Sequence, residues 1–452
     1  MLLAVGLYFT LRSRFVQLRL LPESIRVVGE KTDSNSVSAF QALMVSTASR
    51  VGTGNIVGVA NAIAIGGYGA VFWMWLIAIV GGASAFVEST LAQIYKKRDA
   101  SGGSYGGPSY YIEAALKSRA LGVVFAIALI ATYAGGFNML ASFNLIDSMS
   151  NYGFYHQFMM GDRSLVPMIG GAILAILVGI CIIGGGKQIV RITGVLVPFM
   201  GVFYILMAIA VMILNIGRLP EVFVNILSNA FDFKAIFGGF AGSAMMQGIK
   251  RGLYSNEAGV GSAPNAAAAA NVSHPVKQGL VQMLSVFIDT ILICTATAMM
   301  CLCTGIVPSE ELKGAPFVQE SLGTVFGVIG PYFITFALLL FAFTTLLGNL
   351  FYCEGCLNYI ARRTLKNKEM NVFRLFAVVV VFIGAQLQFG LVWDLADVLM
   401  GIMAIINLPV IVILGNTALK CLDDYLVQKK EGKNPCFKAE SIGLEGKTEF
   451  WN

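Results

Sequence analysis

The sequence predicts an all-α protein that crosses a membrane about eleven times. Hydrophobic residues make up 57% of its 452 residues and charged residues only 12%, whereas globular domains carry roughly 25% charged residues. The apolar residues also fall into runs of about 20 residues or more, the length that a helix needs to cross the hydrocarbon core. We therefore expect a polytopic helical bundle whose natural surroundings are a lipid bilayer.

Apolar runs of this length recur from the N-terminus to the C-terminal region. They lie at residues 1–20, 37–66, 69–95, 119–149, 166–185, 190–216, 235–262, 276–304, 328–361, 371–390 and 391–418. In a soluble protein the net charge of +6 would favour an anionic partner, but here the basic residues lie in the connections between the runs. They set the orientation in the membrane there, and nucleic-acid binding has no support.

Basic residues occupy every second connection and the C-terminal tail, whereas the alternate connections, such as 66–69 and 310–311, are neutral or acidic. The basic set is Arg26, Lys31, Lys96, Lys97, Arg98, Lys187, Arg191, Lys250, Arg251, Lys277, Arg362, Arg363, Lys366, Lys368, Lys429 and Lys430. The positive-inside rule then places the N-terminus outside and the C-terminus in the cytoplasm. An odd number of helices agrees with ends on opposite sides.

Two predicted spans combine glycine with polar residues. The first, at 46–67, contains Arg50 and the run Val51-Gly52-Thr53-Gly54-Asn55. The second, at 238–270, contains Gly242, Gly248, Gly252, Gly259, Gly261, Pro264 and the run Ser255-Asn256-Glu257. Interrupted helices at corresponding positions of two halves are the best sequence sign of an inverted-repeat transporter. The alternative is that these glycines are packing contacts between membrane helices.

The spacing of the two interrupted segments organises the chain. They lie five helices apart, so with the short first helix set aside they are helices 1 and 6 of a ten-helix core whose halves enter the membrane in opposite directions. This interpretation gives a short N-terminal helix with a basic linker at 1–35 and five-helix repeats at 36–216 and 217–420. A cytoplasmic tail follows at 421–452.

An unwound turn within the bilayer suits a small zwitterion. It frees amide N–H groups for a carboxylate and carbonyl groups for an ammonium group or a sodium ion, without burying a formal charge on the protein. We expect Thr53, Gly54 and Asn55 to receive the carboxylate. On the other side, Gln247, Gly248 and Ile249 are expected to close the substrate site.

The run Phe343-Thr344-Thr345-Leu346-Leu347-Gly348-Asn349 is a third candidate element, in the eighth core helix. The hydroxyl groups of Thr344 and Thr345 offer two hard oxygen ligands to a small cation, with the carbonyl groups of Ala48 and Val51 completing the shell. The alternative is that they bond back to carbonyl groups of their own helix. Asn349 lies one turn beyond Thr345 on the same face, next to the expected substrate.

Ionisable residues within spans are functional candidates because each is costly in the membrane. Asp289 is the deepest, about a dozen residues past Lys277. It is expected to ligate the cation, to carry a proton or to pair with Arg50, three alternatives that the sequence leaves open. Glu88, Asp147 and Glu354 lie nearer helix ends, where interfacial or pairing roles are expected.

Other classes of function find little support. Two histidines far apart and a single CxxC pair, Cys353 and Cys356, disfavour zinc, a redox site or an organic cofactor. A membrane enzyme would need a nucleophile or metal constellation that the sequence lacks. A channel fits less well than a transporter, since there is no repeated filter motif and the two broken helices are asymmetric.

At this point the sequence resembles the alanine or glycine:cation symporters, also called sodium:alanine symporters. The residues that carry the resemblance are 66–81, Gly52-Thr53-Gly54-Asn55, and 255–264. It extends from about residue 6 to about residue 420. Members carry a longer stretch ahead of the counterpart of Gly6-Leu7-Tyr8, which raises the expectation that Met1 is internal to the natural chain.

The resemblance implies a leucine-transporter-type fold with one additional N-terminal helix, in a prokaryotic plasma membrane. It also implies sodium-driven uptake of a small neutral amino acid such as alanine or glycine, with sodium at the hydroxyl groups of Thr344 and Thr345. Many members have tryptophan where Asn349 stands, so we expect a more polar or larger pocket. A glutamine- or serine-type sodium symporter and proton coupling through Asp289 remain the alternatives.

Overall fold

The computed structural model describes residues 1–30, 36–98, 103–161, 163–231, 243–309 and 311–451. Predictions that involve Lys31, Gly238, Gly242 and Glu310 lie outside the described residues. The α-helices are Leu2–Arg12, Val16–Arg19, Leu21–Val28, Ala39–Arg50, Val59–Gly66, Gly69–Ile94, Pro108–Leu116, Arg119–Ile130, Asn138–Asp147, Gly153–Gln157, Val166–Ile182, Gly185–Leu214, Leu219–Asn229, Ala244–Asn256, Pro264–Ala269, Pro275–Val286, Thr295–Leu302, Ala315–Phe326, Ile329–Ala361, Asn367–Gly384 and Phe389–Lys430.

Every predicted apolar segment contains a helix. Six described helices are long and apolar enough to span a membrane by length and composition. They are Gly69–Ile94, Arg119–Asp147, Gly185–Leu214, Pro275–Leu302, Ile329–Ala361 and Phe389–Lys430. Shorter apolar helices include Leu2–Arg12 and Val166–Ile182. The first helix is shorter than the predicted segment 1–20 because Arg14 and Phe15 adopt positive φ angles of 55° and 58°.

Small strands interrupt the otherwise helical architecture. Lys97–Arg98 pairs antiparallel with Ser104–Tyr105, and Met159–Met160 pairs antiparallel with Arg163–Ser164. Each strand has two residues and lies in a connection between helices. The protein is thus mostly helical, and the prediction of an all-α chain misses only these two short ribbons among the described residues.

Three segments of the described chain are π-helical, with wider turns than an α-helix. They are Gly54–Gly58, Ala131–Phe137 and Phe287–Cys294. Each continues directly into an α-helix, so the second and third lie inside the long helices Arg119–Asp147 and Pro275–Leu302. Such insertions are often found at functional sites.

Two helices are broken in the middle, as the glycine clusters predict. The first broken helix consists of Ala39–Arg50, which starts with a capping box between Ser38 and Gln41, and of Gly54–Gly66. The second broken helix consists of Ala244–Asn256 and Pro264–Ala269. We call the parts of each the first half and the second half.

The tail, residues 431–451, folds back against the helical bundle. The amide of Phe437 donates to the carbonyl oxygen of Ser273 at 2.9 Å, and the indole N–H of Trp451 donates to the carbonyl oxygen of Gln93 at 2.7 Å. The helix Phe389–Lys430 extends to the start of this tail, 12 residues beyond the predicted end at residue 418. The tail therefore packs beneath the ends of several helices.

Candidate functional site

The first broken helix is interrupted at the run that the sequence analysis singled out. Its first half ends at Arg50, and its π-helical second half begins at Gly54. Val51 and Gly52 lie between them outside the helix. Because a helix leaves its first N–H groups without intrahelical acceptors, the turn offers backbone donors to an anionic group.

One side chain of the turn itself and one from each of two other helices fix this turn. Asn55 folds back so that its side-chain oxygen accepts a hydrogen bond from the amide of Gly52 at 2.9 Å. The amide group of Asn144 donates to the hydroxyl oxygen of Thr53 at 2.9 Å. The hydroxyl group of Thr297 donates to the carbonyl oxygen of Asn55 at 2.7 Å. The predicted residues Thr53, Gly54 and Asn55 thus form one rigid, buried turn.

Asp289 lies at the centre of this arrangement and is fully buried. One carboxylate oxygen accepts from the side-chain amide of Asn55 at 2.7 Å. The other accepts from the hydroxyl groups of Ser255 at 2.7 Å and Thr290 at 2.8 Å. The thiol of Cys294 completes the cluster at 3.0 Å from the Ser255 hydroxyl oxygen. A carboxylate with two hydroxyl groups is suited to a hard cation or a proton.

The third predicted role of Asp289, an ion pair with Arg50, is wrong. Across the described residues, no carboxylate oxygen lies within 4 Å of the Arg50 guanidinium. One of its nitrogens instead donates to the carbonyl oxygen of Gln282 at 3.2 Å. Gln282 precedes Asp289 by two helical turns, so the guanidinium lies along the same helix at a different depth.

The predicted cation ligands Ala48 and Thr345 meet near the end of the first half of the first broken helix. The hydroxyl group of Thr345 donates to the carbonyl oxygen of Ala48 at 3.2 Å and contacts Gly52 so closely that a β-carbon there would clash with it. The hydroxyl group of Thr344 instead donates to the carbonyl oxygen of Leu340 in its own helix, at 3.0 Å. Thr345 and Ala48 therefore come together as predicted, whereas Thr344 shows the back-bonded alternative.

Asn349 joins three helices one turn beyond Thr345. Its side-chain oxygen accepts from the hydroxyl group of Ser49 at 2.7 Å, and its side-chain nitrogen donates to the side-chain oxygen of Asn138 at 2.9 Å. The residue is fully buried. Both ends of its amide are thus bonded within the protein, next to the first half of the first broken helix.

The break in the second broken helix lies between Asn256 and Pro264. Glu257, Gly259 and Gly261 have φ angles of 54°, 82° and 93°, in the left-handed region where glycine is favoured. Pro264 then starts the second half, where its missing N–H is not needed. This sequence of left-handed residues followed by proline accounts for the interruption of the helix.

Side chains bond to the backbone of this second break. Glu88, which is fully buried, accepts from the amide of Gly259 at 3.2 Å. Asn407 donates to the other carboxylate oxygen of Glu88 and to the carbonyl oxygen of Gly259, both at 2.9 Å. The hydroxyl group of Ser262 donates to Glu257 at 2.6 Å. Glu88, expected near a helix end, instead binds the second break.

The structure does not bring the predicted residues Gln247, Gly248 and Ile249 to the first break. They lie in the first half of the second broken helix, well before its break. Gln247 packs against Gly66, and Gly248 approaches the backbone of Ala70 without room for a side chain. These glycines serve close helix packing, which was the alternative for each glycine considered alone.

Tyr254 and Ser255 meet the first break instead. The ring of Tyr254 lies directly on Gly54, where a β-carbon would clash with it. Phe137 and Trp393 flank this ring, with centroids 4.8 Å and 5.2 Å away. The three aromatic residues form a cover over the turn.

A basic pair closes this cover. The guanidinium of Arg251 lies 4.3 Å from the ring centroid of Trp393 and donates to both carboxylate oxygens of Asp397 at 3.1 Å. Lys250 also pairs with Asp397, at 2.6 Å. Both cations were expected in a connection on the basic face, but they lie within a broken helix and bind an acid of the helix Phe389–Lys430.

Sequence reasoning missed several polar residues of the site. They share a position inside an apolar run and a hydrogen bond to the first break, to Asp289 or to Asn349: Asn138, Asn144, Thr290 and Thr297. A lone amide or hydroxyl group in a span is a visible signal. The groups that such a side chain contacts across the bundle cannot be read from the sequence.

The fold is shared with solved transporters. The chain superposes on the crystal structure of MhsT in complex with L-phenylalanine with a TM-score of 0.58 and 16% identity, covering 92% of this chain and 93% of that chain. At this identity the likeness concerns the fold, which is the leucine-transporter type. A helical membrane protein with two broken helices around a buried polar centre is a secondary transporter.

Proteins with similar sequences show which family of transporters the chain belongs to. The sequence pattern of the sodium:alanine symporter family matches residues 1–439. The amino-acid carrier protein AlsT of Bacillus subtilis is 44% identical over 100% of this chain and 94% of its own length. The probable sodium/glutamine symporter GlnT of the same organism is 42% identical over 100% and 92%. The chain belongs to the sodium:alanine symporter family.

Proposed function

We propose that the protein imports a small neutral amino acid together with sodium, by alternating access around the first break. The observation that carries this proposal is the turn at Thr53, Gly54 and Asn55, where the side-chain amide of Asn55 donates to a buried carboxylate, Asp289, at 2.7 Å. Such a turn offers complementary groups to both ends of a zwitterion. The family membership supports the same function.

The substrate carboxylate is assigned to the amide groups of Thr53 and Gly54. In this proposal Tyr254 and Ser255 take the place of Gln247, Gly248 and Ile249 on the second broken helix, because they contact the first break. Alanine and glycine leave most of a polar side-chain pocket empty. Glutamine or serine is the alternative, supported by the amide network of Asn349 and by the name of the relative GlnT.

Sodium is assigned to the carbonyl groups of Ala48 and Val51 with the hydroxyl group of Thr345, which already bonds to Ala48. Thr344 joins this shell only if its hydroxyl group turns away from Leu340. Asp289 belongs to a separate group of ligands across the first break. Proton coupling through Asp289 is the second candidate, favoured by its full burial among hydrogen-bond donors.

The proposed topology has eleven spans, inverted repeats at 36–216 and 217–420, the N-terminus outside and the C-terminus in the cytoplasm. Support comes from basic residues that lie together on one face. Lys277 binds Glu30 at 2.7 Å, and Lys429 binds Glu23. The pair of Arg251 and Asp397 then belongs to the outer side, where it closes the aromatic cover.

Uptake into proteoliposomes tests the proposal. We expect labelled alanine to accumulate under an inward sodium gradient and not in its absence, with labelled glutamine in parallel to rank the substrates. Accumulation under a proton gradient without sodium would identify proton coupling, the second candidate. Equal accumulation with and without both gradients would contradict coupled transport. Uptake of glutamine without uptake of alanine would change the assigned substrate from alanine to glutamine.

A further inference from the structure

Lys96 is buried just past the end of the helix Gly69–Ile94, with no acidic partner among the described residues. Its side chain is fully buried, and the described chain places no carboxylate within 4 Å of its nitrogen. A lysine that lies fully buried is normally paired, since burying an isolated charge is costly. Its surroundings therefore need an explanation.

Three groups surround the Lys96 nitrogen. It donates to the carbonyl oxygen of Ala270 at 3.0 Å. The ring centroids of Phe450 and Trp451 lie 3.9 Å and 4.9 Å away. Aromatic faces attract a cation, most strongly where water is excluded. The carbonyl group completes an aromatic cage around the amine.

The carbonyl group of Ala270 is the end of the second half of the second broken helix. A helix leaves its last carbonyl groups without intrahelical donors, and cations there are favoured by the helix dipole. Gln93 supplies further donors: its side-chain nitrogen donates to the carbonyl oxygens of Ala267 at 2.5 Å and Ala270 at 2.9 Å. The second half is thus held by its C-terminal end to the helix Gly69–Ile94.

The tail keeps the cage closed. Trp451 is fixed by its indole N–H, which donates to the carbonyl oxygen of Gln93 at 2.7 Å. Further along, the hydroxyl group of Ser273 donates to the carbonyl oxygen of Pro435 at 2.8 Å, and Lys277 donates to Asn434 at 2.7 Å. The tail therefore binds both sides of the connection that follows Ala270.

We propose that Lys96 is a positioning residue of the transport cycle: caged by Phe450 and Trp451 of the tail, it clasps the second half of the second broken helix and keeps the inner side closed. This inference rests on the proposed function, because alternating access requires that inner contact to open. Loss of the cage then shifts the population of conformations towards the inward-open state.

The test measures how fast a buried probe becomes accessible. Ser89 is fully buried, its hydroxyl group has no partner, and it lies one turn before Gln93. Ser89→Cys, in a Cys436→Ser background that removes the exposed thiol, is labelled with a maleimide from the inner side of oriented vesicles. We expect Trp451→Ala and Lys96→Met to raise the labelling rate about tenfold, the loss of one cation–π contact and one hydrogen bond.

Two controls define the result. Lys96→Arg keeps the charge and should label more slowly than Lys96→Met. Glu449→Gln removes a tail residue that pairs with Lys97 at 3.6 Å outside the cage and should leave the rate unchanged. Equal rates in all variants would overturn the proposal.

A second probe separates opening of the inner side from local exposure. Ser285 is buried and its hydroxyl oxygen lies 3.2 Å from that of Thr47 of the first broken helix. Faster labelling of both Ser285→Cys and Ser89→Cys is the expected result, and faster labelling of Ser89→Cys alone would contradict the clasp. Uptake by the unsubstituted protein tests the transport function separately, since the labelling comparison holds whether or not that uptake is observed.

Discussion

The two broken helices are interrupted in different ways. At the first break the chain leaves the helix for Val51 and Gly52 and returns as a wide π-helical turn. At the second break three residues with positive φ angles interrupt the helix, and Glu88 and Asn407 bond to the backbone of Gly259. The first break is held by side chains of its neighbours around a carboxylate. The second has its own backbone groups occupied.

We propose that this difference separates a break that binds the substrate from a break that supports the fold. In our proposal the first break binds the substrate, whereas the second break, where Glu88 and Asn407 bond to the backbone groups of Gly259, supports the fold. Asp289 and Glu88 are the matching acids at the two breaks, both fully buried. Variants of the two breaks should therefore change different measurements.

The largest contrast is expected between these two acids. Asp289→Asn removes the charge at the first break while keeping the shape, and we expect the sodium concentration for half-maximal uptake to rise about 10- to 150-fold, the worth of a charged hydrogen bond. Glu88→Gln should leave that concentration unchanged and lower the unfolding temperature, because its new amide group opposes the donor of Asn407. Equal sodium dependence in both variants would remove Asp289 from the cation site. Loss of uptake driven by a pH gradient alone in Asp289→Asn would instead identify a proton carrier.

The next largest contrast is expected between substitutions of two glycines, one at each break. Gly54→Ala places a methyl group against the Tyr254 ring, and because overpacking costs roughly 1–3 kcal/mol we expect the KM for substrate to rise about 5- to 150-fold. Gly261→Ala forces a residue with a side chain to φ 93° beside Phe125, which should reduce the free energy of unfolding by about 1–3 kcal/mol. Thermal unfolding and uptake kinetics of both variants provide the measurement. A stability loss at Gly54 equal to that at Gly261 would show that both breaks are structural.

Substitutions of the adjacent residues Thr344 and Thr345 test which hydroxyl group binds the cation at the first break. Thr345→Ala removes a hydroxyl group that reaches Ala48 on another helix, so we expect a sodium requirement raised about fivefold for one lost hydrogen bond of about 1 kcal/mol. Thr344→Ala removes a hydroxyl group bonded to its own helix and should have a smaller effect. Sodium titration of uptake at saturating substrate compares the two. An equal rise in both variants would return Thr344 to the cation shell.

The smallest effect is expected from pH, through His274 at the start of the helix Pro275–Val286. Burial lowers the pKa of His274 to about 4, although the hydrogen bond with Asp424 raises it. The neutral ring is therefore favoured in the folded protein, so its contribution to stability is complete above pH 6.5, the ordinary pKa, and is lost as the pH falls towards 4. The unfolding temperature should drop further between pH 7 and pH 5 in the unsubstituted protein than in His274→Gln. Parallel curves would show that the histidine does not titrate with folding.

The sequence predicts the helices and the first break because both are local. Apolar runs of sufficient length form helices in a membrane whatever their partners, and the run at residues 51–55 holds its glycines at the break itself. The predicted substrate contacts of the second broken helix, at residues 247–249, lie about ten residues before its break, because Gly248 and Gly259 look alike in sequence. Gly248 packs against Ala70, whereas Gly259 has a positive φ angle. Pro264, which starts a helix but cannot continue one, is the signal that distinguishes them.

The contacts of the site are not local and could not be predicted. Asp289 binds Ser255 across 34 positions of the chain and Asn55 across 234. The apolar run around Asp289 predicts that it lies deep in the membrane. Arg50, however, lies about as far from Asp289 along the sequence as Asn55 does, so the sequence makes both equal candidates for its partner. Which of them it binds depends on how the helices rotate against each other. That rotation is set by the whole packed bundle.

The three π-helical segments meet at the site, since they contain Asn55 and Asp289 or end directly before Asn138. A wide turn stores one residue more than an α-helix of the same length. Converting one to α-helix would slide the adjoining chain by about 1.5 Å along the axis and rotate it by about 100°. A side chain such as Asp289 would then swing away from the centre while its helix stayed intact. At the proposed substrate site the bundle thus holds extra residues within its helices, and it could exchange the groups that face the substrate without unfolding any helix.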